Sequence, residues 1–154
     1  MSDPDTDRSS FEAFVERVEP RLRIALTAVF GQDAGRDATA EALLYGLENW
    51  GRVSGMENPV GYLYRVGRSS QRRGRRHGWL PVPDRCSPMV EPGLAEAVRG
   101  LSEKQRIAVV LVHAYSWTRR EVAETVGISV SSVDTHLARG LDRLRAKLGV
   151  EISV

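Results

Sequence analysis

The chain has 154 residues, 42% hydrophobic and 27% charged, with a net charge of +2. That is ordinary for a soluble globular protein and enough for one domain or two small ones with a real core. No apolar run approaches the ~20 residues of a membrane span and the start MSDPDTD is unlike a signal peptide, so a cytoplasmic protein with no membrane partner is expected. The single cysteine, Cys86, excludes an internal disulfide and sits in no metal-binding spacing.

The charge is unevenly spread. Residues 1–50 carry ten acidic and five basic side chains, whereas residues 51–80 carry seven arginines against one glutamate. An acidic segment followed by a sharply basic one points to a protein-facing surface and a nucleic-acid surface in one chain.

After an irregular start, Ser10 precedes a run to Phe30 in which Phe11, Phe14, Val18, Leu22, Ala25, Leu26 and Val29 keep a helical period. Pro20 lies inside that run and predicts a kink or a division into two helices. Gly31 to Gly35 reads as a turn. Arg36 to Trp50 reads as an amphipathic helix, with Leu43, Leu47 and Trp50 on one side and Asp37, Glu41 and Glu48 on others. A solvated acidic side is the simpler account of those carboxylates, and a docking face for a basic partner helix is the sharper one.

Gly51 to Pro59 reads as a loop, with Asn58-Pro59 a helix-entry signal. The next helix, from Val60, interleaves Tyr62 with Arg65, Arg68, Arg72, Arg73, Arg75 and Arg76. Arginines neutralise phosphates and a tyrosine offers a stacking face to an unpaired base, a combination suited to melted DNA. The helix dipole also favours arginine near a C-terminus, but the seven arginines of residues 51–80 exceed what an end effect requires. Pro81, Pro83, Pro88 and Pro92 then exclude a helix over Leu80 to Gly93, which reads as a linker.

Helices resume at Leu94. Ser102 with Gln105 forms a capping box that opens a helix with Ile107, Val110, Leu111 and Ala114 inward and His113 in or beside the core. Thr118 to Leu148 has the spacing of a helix-turn-helix. Thr118 and Glu121 make a second capping box, Val122, Ala123 and Val126 face inward, and Gly127 suits a left-handed turn. Ser129 caps a second helix whose stripe is Val133, Leu137, Leu141, Leu144 and Leu148. Its other face carries Ser131, Ser132, Thr135, His136 and Arg139, side chains able to reach phosphates and base edges in a major groove.

The expected fold is therefore all-α. Two small helical domains, residues 1–79 and 94–154, are joined by a proline-rich linker at 80–93, and the second contains the helix-turn-helix. No nucleophile and base pair, phosphate loop or paired-carboxylate motif points to an enzyme. His77, His113 and His136 are far apart in the chain, so neither a metal site nor a cofactor is expected.

In this order the segments resemble the extracytoplasmic-function class of sigma factors, the sigma-70 family of bacterial RNA polymerase initiation factors, over roughly Phe11 to Leu148. RDATAEALLYGLENW resembles the family's EDAVQEAFLRALERW, and NPVGYLYRVGRSSQRRGRR resembles its NPRAWLYRVARNLALDRLRR. LSEKQRIAVVLVHAYSWTRREVAETVGIS resembles the stretch leading into the family's recognition helix.

The resemblance implies binding to core RNA polymerase through Asp37, Glu41, Leu47 and Trp50. It also implies reading and opening of the promoter minus-ten element by Tyr62, Arg65 and Arg68, with Arg72 and Arg73 beside them. Ser131, Ser132, Thr135, His136 and Arg139 would read the minus-thirty-five element, and an anti-sigma protein would be a further partner. The chain departs from the family pattern at Ala40, Leu43 and Ser69, and at Asp134 and His136, which stand in place of a lysine and an arginine. A carboxylate at Asp134 is expected to weaken or retune phosphate contacts. Two other readings compete: a helix-turn-helix regulator of the LuxR kind, whose C-terminal helices SVSSVDTHLARGLDRLRAKLGV also resembles, and an interaction protein that keeps the sigma fold but has lost initiation.

Overall fold

The computed structural model describes residues 3–74 and 93–149. Helix α1 spans Pro4–Phe30, starting well before Ser10, because Asp3 accepts a hydrogen bond from the Asp5 amide (3.2 Å) and Pro4 occupies the first turn. Pro20 lies inside this single helix and does not divide it. Its ring is exposed, while Phe14, Val18, Leu22, Ala25 and Leu26 stay buried in register on both sides. Burial of that continuous stripe outweighs one missing backbone bond.

The expected turn at Gly31 to Gly35 contracts to Gly31, whose φ of 87° suits glycine, and α2 runs Gln32–Glu48. Gly35 is within α2 and lets it touch α1, since a Cβ there would lie 2.5 Å from the Thr27 Cα. The buried face of α2 is made of small residues: Gly35, Ala38, Thr39, Ala42 and Gly46. Leu43 is half-buried, and Leu47 is 49% exposed, as is Leu44 at 56%. Of the stripe expected to face inward, Leu43 and Leu47 thus lie beside or away from the core and only Trp50 is buried, because two helices this close admit only small side chains between them.

A short helix, α3 (Trp50–Val53), occupies part of the expected loop. Trp50 packs on Phe11 and Phe14 with ring centroids 5.2 and 4.9 Å apart and closes one end of the core. Helix α4 spans Pro59–Gly74, its first turn held by the Gly61 amide donating to Asn58 Oδ1 at 3.1 Å. The proline-rich segment 80–92, together with Arg75 and Arg76, lies outside the described residues.

The C-terminal part comprises α5 (Leu94–Arg99), α6 (Glu103–Val109), a π-helical turn (Val110–Ala114), α7 (Arg119–Val126) and α8 (Val130–Leu148). Both capping boxes form as expected. The π turn inserts an extra residue and rotates the side chains after Val109 relative to those before it. Ile107 and Leu111 are buried as expected, together with Ala108 and Val109, but Val110 is half-buried, and Ala114 and His113 face solvent. Among the described residues there is no strand, and no helix is long and apolar enough to cross a membrane.

The two parts share one core. Ile107, Leu111, Val122, Ala123, Val126 and Val133 join the cluster built by Phe11, Leu22, Leu26, Leu63 and Tyr64. A smaller cluster of Ala97, Val98, Leu101, Ala108, Val109, Leu137 and Leu144 ties α5 and α6 to α8. The first helix of the helix-turn-helix is therefore packed directly on α1 and α4.

Candidate nucleic-acid interface and docking face

The helix-turn-helix is set by local chemistry. The Thr118 hydroxyl accepts from the Glu121 amide (3.1 Å), while the Glu121 carboxylate accepts from the Thr118 amide (2.8 Å) and fixes the start of α7. That backbone donor holds the Glu121 carboxyl below its ordinary range. Gly127, with φ 74° and ψ 38°, ends α7, and both its amide and that of Ile128 return to the Ala123 carbonyl. Ser129 then caps α8 through the Ser132 amide at 3.1 Å. Val122, Ala123, Val126, Val133, Leu137 and Leu144 are buried, with Leu141 and Leu148 packed at the edge.

Ser131, Thr135 and Arg139 are exposed on α8, and Ser132 and His136 are half-buried beside them. The Thr135 hydroxyl donates back to the Ser131 carbonyl at 3.0 Å, leaving its oxygen to accept. Burial, then Lys104 and Arg139, push the His136 imidazole below its ordinary range and favour its neutral form. Asp134 pairs with Arg119 at 2.5 Å, so its charge is offset within the motif, a feature its sequence position alone does not reveal.

On α4, Tyr62 belongs to a three-residue cluster. Its hydroxyl and that of Tyr45 share a hydrogen bond of 3.2 Å. The Arg52 guanidinium donates to both hydroxyls and lies 5.9 and 5.7 Å from the Tyr45 and Tyr62 ring centroids. The shared bond lowers Tyr62 below the usual phenol range and raises Tyr45 above it. Arg52 and Tyr45 escaped sequence reading because they come from the expected loop and the neighbouring helix. A groove lined by Glu41, Leu44, Tyr45, Tyr62, Arg65 and Ser69 runs beside the cluster.

Two cations of α4 are engaged within the chain. Arg65 donates to the Gly127 carbonyl at 2.7 Å, and Arg68 pairs with Glu103 at the start of α6. Arg72 and Arg73 lie in α4, but their side chains are outside the described residues.

On α2, Asp37, Glu41, Leu47 and Glu48 are exposed on the side away from the small-residue face, together with Leu44. Trp50 is 8% exposed and does not share that surface; it is a core residue beneath the end of α2. Leu44 was missed because one apolar residue among several carries no mark of exposure. Among the described residues no group of three His, Cys, Asp or Glu could hold a metal.

Residues 93–144 match the family model for sigma-70, region 4. No curated protein matches the chain significantly. Among solved structures, the chain resembles the sigma factor RpoE in complex with the anti-sigma factor NepR from Bartonella quintana, at 20% identity and a TM-score of 0.65, covering 93% of this chain and 99% of that one. At that identity the likeness speaks for the fold. Residues 93–144, which hold the helix-turn-helix described above, are thus similar to sigma-70 region 4, and the chain shares the fold of that sigma factor over nearly its whole length.

Proposed function

We propose that this protein is a sigma factor of the sigma-70 family that binds core RNA polymerase, directs it to promoters and helps open the DNA, without covalent chemistry of its own. In this reading residues 1–79 form the polymerase-docking and minus-ten unit, and residues 94–154 form the minus-thirty-five unit. The observation that carries it is the pairing of two separate surfaces in one fold. Leu44 and Leu47, rimmed by Asp37, Glu41 and Glu48, make an exposed apolar face with an acidic edge, the complement of a basic helix. Ser131, Ser132, Thr135, His136 and Arg139 line the accessible side of a capped recognition helix.

Tyr62, with Arg52 behind it, offers a held ring to an unpaired base, and Arg65 and Arg68 offer phosphate contacts. Trp50 serves docking indirectly, by fixing the end of α2 on Phe11 and Phe14. By likeness to the RpoE complex, an anti-sigma protein is a further partner. The test is purification with core polymerase. Stable association on a sizing column supports the reading; a dimer that binds duplex DNA unaided favours the LuxR-like alternative, and association without promoter-specific transcripts favours a sigma-fold protein that has lost initiation.

A further inference from the structure

The leading turns of α8 hold no arginine or lysine. Val130, its first residue, is a branched apolar side chain left 43% exposed directly after the Ser129 cap. Ser131, Asp134 and Thr135 follow on the exposed side, and the first arginine of the helix is Arg139. The bidentate arginine that most often reads guanine is therefore missing from the turns that enter a major groove first.

What these turns hold instead is an apolar group and acceptors. The Thr135 hydroxyl gives its proton to the Ser131 carbonyl at 3.0 Å, so toward a ligand its oxygen only accepts. Asp134 is an acceptor throughout: Arg119 Nε pairs with its Oδ1, which orients the carboxylate and leaves Oδ2 for another donor. Val130 and Asp134 are four residues apart, so they are neighbours along one edge of the helix. His136 brings no fixed charge, since burial and its cationic neighbours favour the neutral ring.

We infer that this edge of α8 reads methyl and amino groups in the major groove: Val130 packs on the 5-methyl of a thymine, and Asp134, oriented by Arg119, accepts from the 4-amino group of a nearby cytosine. The inference rests on the proposed function for DNA as the ligand and goes beyond it in naming the base edges taken. A carboxylate gains a charge-assisted bond from the cytosine amine. It is opposed at guanine by two acceptors, O6 and N7, and at adenine by the N7 beside the amine. Asp134 thus selects by repulsion as well as attraction, giving up general affinity for phosphate-rich DNA in exchange for choice of base.

The experiment uses the full chain with core polymerase to select duplexes from a library randomised across the minus-thirty-five region. The enriched duplex should contain a thymine close to a cytosine. Rebuilt with deoxyuridine at that thymine, it should bind the parent about fourfold more weakly, the effect of one lost methyl contact. Val130→Ala should bind the thymine and uracil duplexes equally. Exchanging the C·G pair for G·C should weaken the parent about tenfold or more, and Asp134→Asn, though tighter on every duplex, should narrow that ratio about threefold. Each readout compares two duplexes on one protein, so a change in folded fraction cancels. Uracil tolerated by the parent at every thymine, equal uracil penalties in the parent and Val130→Ala, or an unchanged ratio in Asp134→Asn overturns the inference and leaves the proposed function standing. No enriched element with polymerase bound sinks the proposed function, and the inference with it.

Discussion

Arg65 donates a hydrogen bond of 2.7 Å to the backbone carbonyl of Gly127, joining the arginine-bearing helix α4 to the turn of the helix-turn-helix. The two surfaces that the proposed function assigns to different stretches of promoter are thus in contact with each other, and the neighbouring Arg68 pairs with Glu103.

Glu103→Gln removes the charge that holds Arg68. Binding of bubble DNA should tighten several-fold, and the slope of log affinity against log salt should steepen by about one, because one more cation becomes available to phosphate. Fluorescence anisotropy over a salt series measures both.

On α2, two kinds of substitution should separate. Trp50→Ala removes an aromatic side chain packed on Phe11 and Phe14 and should cost about 3–5 kcal/mol in denaturant unfolding. Leu44→Asp with Leu47→Asp alters exposed positions and should change stability by no more than about 0.5 kcal/mol per site. The same pair should weaken binding to core polymerase at least ~10-fold, as loss of the centre of a docking face does.

A lone carboxylate at Asp134 would repel phosphate, but its pairing with Arg119 changes the arithmetic. Asp134→Asn frees Arg119 and removes a negative charge, while an exposed pair of this kind contributes little to folding. Binding of minus-thirty-five duplex should tighten with a salt slope steeper by about one, at nearly unchanged thermal stability. An unchanged slope would place Arg119 away from the phosphates.

The Glu121 carboxyl titrates below its ordinary range in the folded chain because the Thr118 amide bonds its ionised form. Its contribution to stability is therefore present above pH 4.5 and is lost as pH falls through the lowered folded value. Thermal melts of the parent from pH 7 down to pH 3 should show this loss, and Glu121→Gln should flatten that part of the profile.

Much of the fold is legible in the sequence. The capping boxes at Ser102 and Thr118, the turn at Gly127 and the stripe of α1 are local signals, and local signals survive folding. The orientation of α2 is hidden because its buried face consists of Gly35, Ala38, Thr39, Ala42 and Gly46, which carry no hydrophobic periodicity worth noticing. The phase of the helix after Val109 is hidden because a π turn has no sequence signature. Of the site, exposure on α8 follows from helix geometry. The engagement of Arg65 by Gly127, of Arg68 by Glu103 and of Arg52 by Tyr45 and Tyr62 joins residues distant in the chain or on different helices, and the periodicity of one helix does not encode such pairings.

The central claim is tested most directly by in vitro transcription with core polymerase on genomic fragments, with footprinting of the bound DNA. The account predicts discrete start sites only when the protein is present, protection at two elements upstream of each, and loss of transcripts with the Leu44→Asp, Leu47→Asp variant. Binding to core without any specific transcript or two-element footprint would contradict it.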